Sequence, residues 1–127
     1  MEYLTIIAML ALIEYMYFGI AVGSARGRYG ISAPATTGDE NFERYFRAHQ
    51  NTLEQLIVFI PSLFAAGYFA NEIYAVVAGV AFLVGRAVYF RSYTSDAQKR
   101  GPGMIVTMVA NVALLSGGLV GALVQIF

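Results

Sequence analysis

The sequence contains no cysteine and only one histidine, His49, in 127 residues. Without cysteine the chain forms no disulfide, has no thiol nucleophile of its own and offers no thiolate ligand to a metal. A single histidine without a second ligand beside it does not make a metal centre, so we predict none. Any sulfur chemistry must therefore come with a bound ligand.

Charged residues are scarce too, at 13% of the chain, whereas 58% of the residues are hydrophobic. A soluble domain of this length could not cover so much apolar side chain with so little charge. Four apolar stretches account for the excess, and each can reach the roughly 20 residues that cross a bilayer core. We predict an all-α integral membrane four-helix bundle, a single domain over 1–127, with transmembrane helices at about 3–24, 42–70, 73–96 and 103–127.

The connections and the basic residues predict an orientation. Loop one spans about residues 24–41, and loop three is predicted to end at Gly101-Pro102-Gly103 because proline rarely continues a helix. All eight basic residues lie in these loops or in the helices that adjoin them. The positive-inside rule then puts loops one and three in the cytoplasm and both termini outside.

The first apolar stretch is too long for a signal peptide and no basic residue precedes it, so we predict that it is retained as a helix.

Polar side chains line one face of the second helix. At 100° per residue, Arg47, Asn51 and Glu54 fall within about 60° of arc, whereas His49 projects nearly opposite. Charge within a membrane is costly unless it is paired or hydrated, so this face is predicted to border a wetted cavity. Arginines near helix ends often reach for lipid headgroups instead, and that alternative is favoured for Arg28, Arg91 and Lys99.

The third helix supplies a matching face with Tyr89 and Tyr93. If this helix runs on into the cytoplasm, Arg100 shares the side of the two tyrosines, and Arg26 ends the first helix at the same mouth. Arginines bind carboxylates and a carboxylate such as Glu54 binds an ammonium group, so this set fits a small zwitterion.

Two charges lie deeper in the predicted helices. Glu14 and Arg86 are each about nine residues, or about 14 Å, from the predicted cytoplasmic ends of their helices. Equal depth and opposite sign suggest that they form a structural pair, with Asn111 nearby.

The segments PATTGDENFERYFRAHQNTLE, at 34–54, and RAVYFRSYTSDAQKR, at 86–100, resemble the MAPEG family, the membrane-associated proteins in eicosanoid and glutathione metabolism. Within the family the chain is similar to the bacterial microsomal-glutathione-transferase-like members. The resemblance covers all four helices in order.

The resemblance implies a homotrimer in a bacterial inner membrane, with glutathione as co-substrate between neighbouring subunits near the cytosolic face. It implies a glutathione transferase or peroxidase acting on lipophilic electrophiles or lipid hydroperoxides. Arg100 matches the arginine proposed to stabilise the glutathione thiolate. Glutathione-binding positions of one subunit are matched by Arg47, Asn51, Glu54, Tyr89 and Tyr93. Contacts from the next subunit are matched by Arg26 and His49.

Two other functions remain open. A non-catalytic, lipid-binding member of the family is one, although the tyrosines and Arg100 argue against it. A small transporter or channel subunit is another, but the second helix is apolar beyond Glu54, so its polar face ends half-way. Gln55 and Gly27 stand where the leukotriene-synthesising branch has tyrosine and arginine, which leaves the lipophilic substrate open.

Overall fold

The computed structural model describes residues 1–127 and contains four long helices and no strand. They are α1 (Glu2–Tyr29), α2 (Glu40–Phe69), α3 (Glu72–Ser95) and α4 (Gly101–Ile126). A 3₁₀ turn, Ala97–Arg100, leads directly into α4. All four helices are long and apolar enough to cross a membrane. The predicted all-α transmembrane bundle is thus confirmed.

The two middle helices hold the bundle together. Helices α2 and α3 pack against each other and against both outer helices, whereas α1 and α4 make no comparable contact with one another. Because consecutive helices run in opposite directions, loops one and three lie at one end of the bundle and the α2–α3 turn lies at the other.

Capping residues fix where the middle helices begin. The Asp39 side chain accepts hydrogen bonds from the backbone N–H groups of Asn41 and Phe42, at 2.8 and 3.2 Å. At the other end of the bundle, the Asn71 side chain accepts a bond from the N–H of Tyr74 at 3.0 Å. Each cap satisfies donors that the first helical turn leaves unpaired.

Two helix ends differ from the sequence prediction. Helix α1 continues to Tyr29 rather than stopping near residue 24, and it ends at Gly30, whose left-handed φ of 70° favours glycine. Helix α4 begins at Gly101, so Pro102 lies inside its first turn. A proline is tolerated there because the first-turn N–H groups have no helical acceptor.

Close packing of the helices uses stacked aromatic rings in one place and glycine in another. The rings of Phe59 and Phe82 stack with centroids 3.7 Å apart between α2 and α3. Helix α4 approaches α2 so closely that a Cβ at Gly121 would lie 2.6 Å from the Phe69 carbonyl carbon. Close approach of this kind is how membrane helices gain contact, since lipid gives them no hydrophobic drive to associate.

The predicted pair of Glu14 and Arg86 is wrong. No basic group lies within 4.0 Å of the Glu14 carboxylate, and its Oε1 is buried without a hydrogen-bond partner. The two residues do lie at similar depth, because Phe18 and Phe90, four residues further along each helix, stack with ring centroids 4.0 Å apart. The Arg86 guanidinium instead points towards α2 and α4, where it donates hydrogen bonds to Thr52 and Thr107.

The substitution Glu14→Gln should therefore leave thermal stability unchanged or raised. It removes a carboxylate whose buried Oε1 has no hydrogen-bond partner and breaks no ion pair, whereas separating a true buried pair costs about 3–5 kcal/mol. The measurement is the thermal unfolding midpoint of the purified protein in detergent. Glu2→Gln, on the same helix, is the control, because this side chain is 92% exposed and its one ion pair, with the N-terminal amine at 3.3 Å, is exposed too. A large fall in the midpoint for Glu14→Gln alone would contradict the structure.

Candidate functional site

A cavity of about 430 Å³ opens between α2, α3 and loop one, at the end of the bundle that carries loops one and three. Helix α2 contributes Arg47, Asn51 and Glu54 to its lining, and α3 contributes Tyr89 and Tyr93. Five of the eight residues singled out in the sequence therefore border one space. They converge because spacings of three and four keep each set on a single helix face.

The lining also includes residues that sequence reasoning missed. Thr36 and Thr37 of loop one, together with Phe46 and Gln50 of α2, complete the wall. An irregular loop has no periodicity that could show which of its side chains turn inward. Gln50 lies beside the polar face of α2 that Arg47, Asn51 and Glu54 form. It becomes part of the cavity wall because loop one lies next to it.

The charges of the cavity are left unpaired. Arg47 and Glu54 are both exposed, and no salt bridge joins either of them to another residue of the chain. The two tyrosine rings stack in parallel, with centroids 5.5 Å apart and an angle of 6° between the planes. The cavity thus offers one cation, one anion and two phenol groups to a ligand that carries both signs of charge.

A buried arginine supports the cavity from behind. Arg86 is 0% exposed, and its Nη2 donates hydrogen bonds to Asn51 Oδ1 and Thr52 Oγ1, both at 2.8 Å. A weaker bond reaches Thr107 Oγ1 on α4 at 3.4 Å, and the guanidinium carbon lies 4.2 Å from the centroid of the Tyr89 ring.

This arrangement fixes the side chain of Asn51. A guanidinium can only donate hydrogen bonds, so the Asn51 amide must turn its oxygen towards Arg86. The amide nitrogen of Asn51 is then the group free to donate into the cavity. Arg86 therefore positions one lining residue by a hydrogen bond and holds another, Tyr89, by a cation–π contact.

Arg100 lies beside the cavity, but not on the continuation of α3 that the sequence predicted. Helix α3 ends at Ser95, because Asp96 is extended, with φ of −157°, and its carboxylate accepts a bond from the Gln98 N–H at 3.0 Å. The 3₁₀ turn that follows brings the Arg100 guanidinium carbon to 5.9 Å from the centroid of the Tyr93 ring. Arg100 itself donates to the Ala97 carbonyl at 3.0 Å.

Two predicted site residues lie away from this cavity within the chain. Arg26 donates to the carbonyl of Ala35 at 2.7 Å, and its guanidinium carbon lies 4.8 Å from the centroid of the Phe42 ring. His49 stacks on Tyr15 of α1, with ring centroids 4.3 Å apart. Neither residue lines the cavity. No group of three or more His, Asp or Glu side chains in the chain could hold a metal ion.

The fold and this cavity define the class: an integral membrane helical bundle with a polar cavity at one end. The profile of the MAPEG family matches residues 4–120, and the chain belongs to this family.

Curated relatives align over nearly the whole chain. A Synechocystis sp. protein that is itself uncharacterized is 38% identical over 121 residues, covering 95% of this chain and 88% of its own. Human microsomal glutathione S-transferase 2 is 38% identical over 120 residues, covering 94% and 80% of the two chains. Rat leukotriene C4 synthase is 34% identical over 122 residues, covering 96% and 81%.

Proposed function

We propose that this protein is a membrane-bound glutathione transferase or peroxidase that acts on lipophilic electrophiles or hydroperoxides. The observation that carries the proposal is the cavity in which Arg47 and Glu54 stay unpaired beside an amide and two phenols. Its volume of about 430 Å³ lies within the range of small-molecule pockets, about 300–1,000 Å³. The similarity to human microsomal glutathione S-transferase 2 supports the same ligand.

Glutathione carries the groups that this lining would recognise: two carboxylates, one ammonium group, two amides and a thiol. Arg47 binds a carboxylate through its forked donors, and Glu54 binds the ammonium group. Asn51 donates its free amide nitrogen to a carbonyl or carboxylate oxygen, because Arg86 occupies its oxygen. The hydroxyl groups of Tyr89 and Tyr93 face the remaining polar atoms.

The chemistry begins at the thiol. A free thiol has a pKa of about 8.5, so little thiolate is present at neutral pH, and a guanidinium nearby favours the thiolate. The thiolate attacks an electrophilic carbon, forming a C–S bond as the leaving group departs with the bonding electrons. With a hydroperoxide it forms an S–O bond as the O–O bond breaks and an alcohol leaves. A second glutathione then gives the disulfide and water.

Glutathione binding should depend on Glu54. We expect Glu54→Gln to weaken the affinity for glutathione about 10- to 100-fold, since a hydrogen bond between charged groups contributes about 1.5–3 kcal/mol. Isothermal titration of the purified protein with glutathione measures this directly. Glu43→Gln is the matched control, because it removes a carboxylate from the same helix outside the cavity. Equal affinity in the Glu54 and Glu43 variants would refute the assignment of the cavity.

The same variant tests the proposed homotrimer, in which Arg26 and His49 of one subunit complete the cavity of the next. Native mass spectrometry should show a particle three times the chain mass of 13.8 kDa. Co-expression of Glu54→Gln with Arg26→Gln should restore binding at those interfaces where an intact Glu54 meets an intact Arg26. Mixed particles that bind no better than either parent would rule out a shared site.

Arg100 should act on turnover more than on affinity. We expect Arg100→Ala to lower kcat about 10- to 30-fold at pH 7, the effect of losing between one and two units of thiol pKa depression. On this proposal Arg100 lowers the pKa of the bound thiol in the wild type. The deficit in kcat of the variant should therefore shrink as the pH rises towards 8.5, where the thiol ionises without Arg100. The assay is conjugation of glutathione to a chloronitrobenzene between pH 6 and 9, repeated with a lipid hydroperoxide.

Lys99→Gln, at the neighbouring exposed residue, is the control for Arg100→Ala. If the Arg100 variant turned over like the wild type at every pH, Arg100 would have no part in the mechanism. If wild-type protein bound glutathione but supported no turnover of either substrate, the non-catalytic, lipid-binding function would replace the enzymatic one.

We also propose that loops one and three, and with them the cavity, face the cytoplasm, because the basic residues concentrate at that end. Because the chain has no native cysteine, a maleimide can react only with a cysteine that is introduced by mutation. In intact bacterial cells, a membrane-impermeant maleimide should label Ala70→Cys, at the α2–α3 turn. It should label Ser32→Cys, in loop one, only after permeabilisation. The reverse pattern would invert the orientation.

A further inference from the structure

A second cavity, separate from the one described above, lies in the groove between α1 and α3, with Tyr45 of α2 behind it. Its volume is about 550 Å³ and most of its lining is hydrophobic. The stacked rings of Phe18 and Phe90, with centroids 4.0 Å apart, form its floor. Ile20 and Ala87 extend this apolar surface outward. None of these residues takes part in the glutathione site.

Two arginines stand in the same groove without an acidic partner. Arg28 and Arg91 both line it and are both exposed, and no Asp or Glu is among the lining residues. Neither arginine forms a salt bridge anywhere in the chain. Arg28 is one residue from the end of α1 and Arg91 is four from the end of α3, so both lie towards the end of the bundle that carries loops one and three.

The groove faces away from the proposed contact between subunits, an argument that rests on the proposed function. Along α1, the groove residues Tyr17, Ser24 and Arg28 share one side of the helix at 100° per residue. Arg26 lies about 160° from Arg28 on this count, on the side where α1 meets His49. If Arg26 and His49 approach a neighbouring subunit, the groove on the opposite side of α1 faces the lipid.

We propose that the α1–α3 groove is a binding site for an anionic phospholipid of the bilayer. The phosphate lies between Arg28 and Arg91, which match its geometry with forked donors. An acyl chain lies on the Phe18–Phe90 floor, where apolar surface is otherwise exposed. The concentration of unpaired positive charge at the membrane boundary, continuous with an apolar groove, selects this occupant over a zwitterionic lipid.

The test compares phosphatidylglycerol with phosphatidylcholine of identical acyl chains, titrated into the purified full chain in neutral detergent. Bound lipid is counted by native mass spectrometry. An arginine near an anionic headgroup is expected to contribute about fivefold in affinity, so two should give a preference of about 25-fold for phosphatidylglycerol. Arg28→Gln and Arg91→Gln should each reduce this preference for phosphatidylglycerol about fivefold.

Two further variants separate the groove from general attraction of charge. Lys99→Gln removes one positive charge from the same end of the bundle but outside the groove, and it should keep the full preference. Ala87→Phe leaves every charge in place and fills the groove, so it should reduce binding of phosphatidylglycerol. All variants should retain the wild-type oligomer mass and thermal midpoint, which shows that they fold.

Three outcomes would overturn the site. If Lys99→Gln and Arg91→Gln lost the preference for phosphatidylglycerol equally, the lipid would be attracted by net charge alone. Displacement of phosphatidylglycerol by an equal concentration of oleate would identify a single-chain acid as the occupant. Absence of any preference in the wild type would mean that the groove is empty or covered by a second copy. Glutathione titration of the same samples keeps the two proposals distinct, because either ligand can bind where the other fails.

Discussion

The interaction on which the arrangement most depends is the hydrogen bonding of a buried guanidinium inside the bundle. Arg86 of α3 donates to Asn51 and Thr52 of α2 and reaches Thr107 of α4. A charge in the interior of a membrane costs several kcal/mol unless it is solvated by polar groups. Here two hydroxyls and an amide accept hydrogen bonds from its two terminal nitrogens, while its buried Nε has no partner, and three helices must stay together to provide these acceptors.

No carboxylate forms an ion pair with this charge. The guanidinium has no acidic group within 4.0 Å, so its positive potential persists next to Asn51 and Tyr89, both of which line the cavity. In low dielectric such a potential reaches further than it would in water. A cavity that is proposed to bind the carboxylates and thiolate of glutathione would gain from a cation that is not paired with an acid. The same residue thus links the packing of the helices to the chemistry proposed for the cavity.

The exposed charges of the cavity support the proposal that a single chain forms only part of the site. Arg47 and Glu54 remain exposed, while Arg26 and His49 lie on a different surface. Charged side chains exposed at a membrane boundary need water, ligand or another protein surface around them. An assembly in which one subunit's α1–α2 surface covers the next subunit's cavity would meet that need, and the proposed homotrimer has this property.

The sequence by itself determined the four membrane spans, the polar face of α2 and the pairing of Tyr89 with Tyr93. These features follow from apolar length and helical periodicity, which are local. Only the tertiary structure decided that Arg86 bonds to Asn51 and Thr52 rather than Glu14, that loop one closes the cavity, and that a 3₁₀ turn places Arg100 beside Tyr93. Those outcomes depend on where helices end and how they rotate against each other, which capping and packing between distant residues settle.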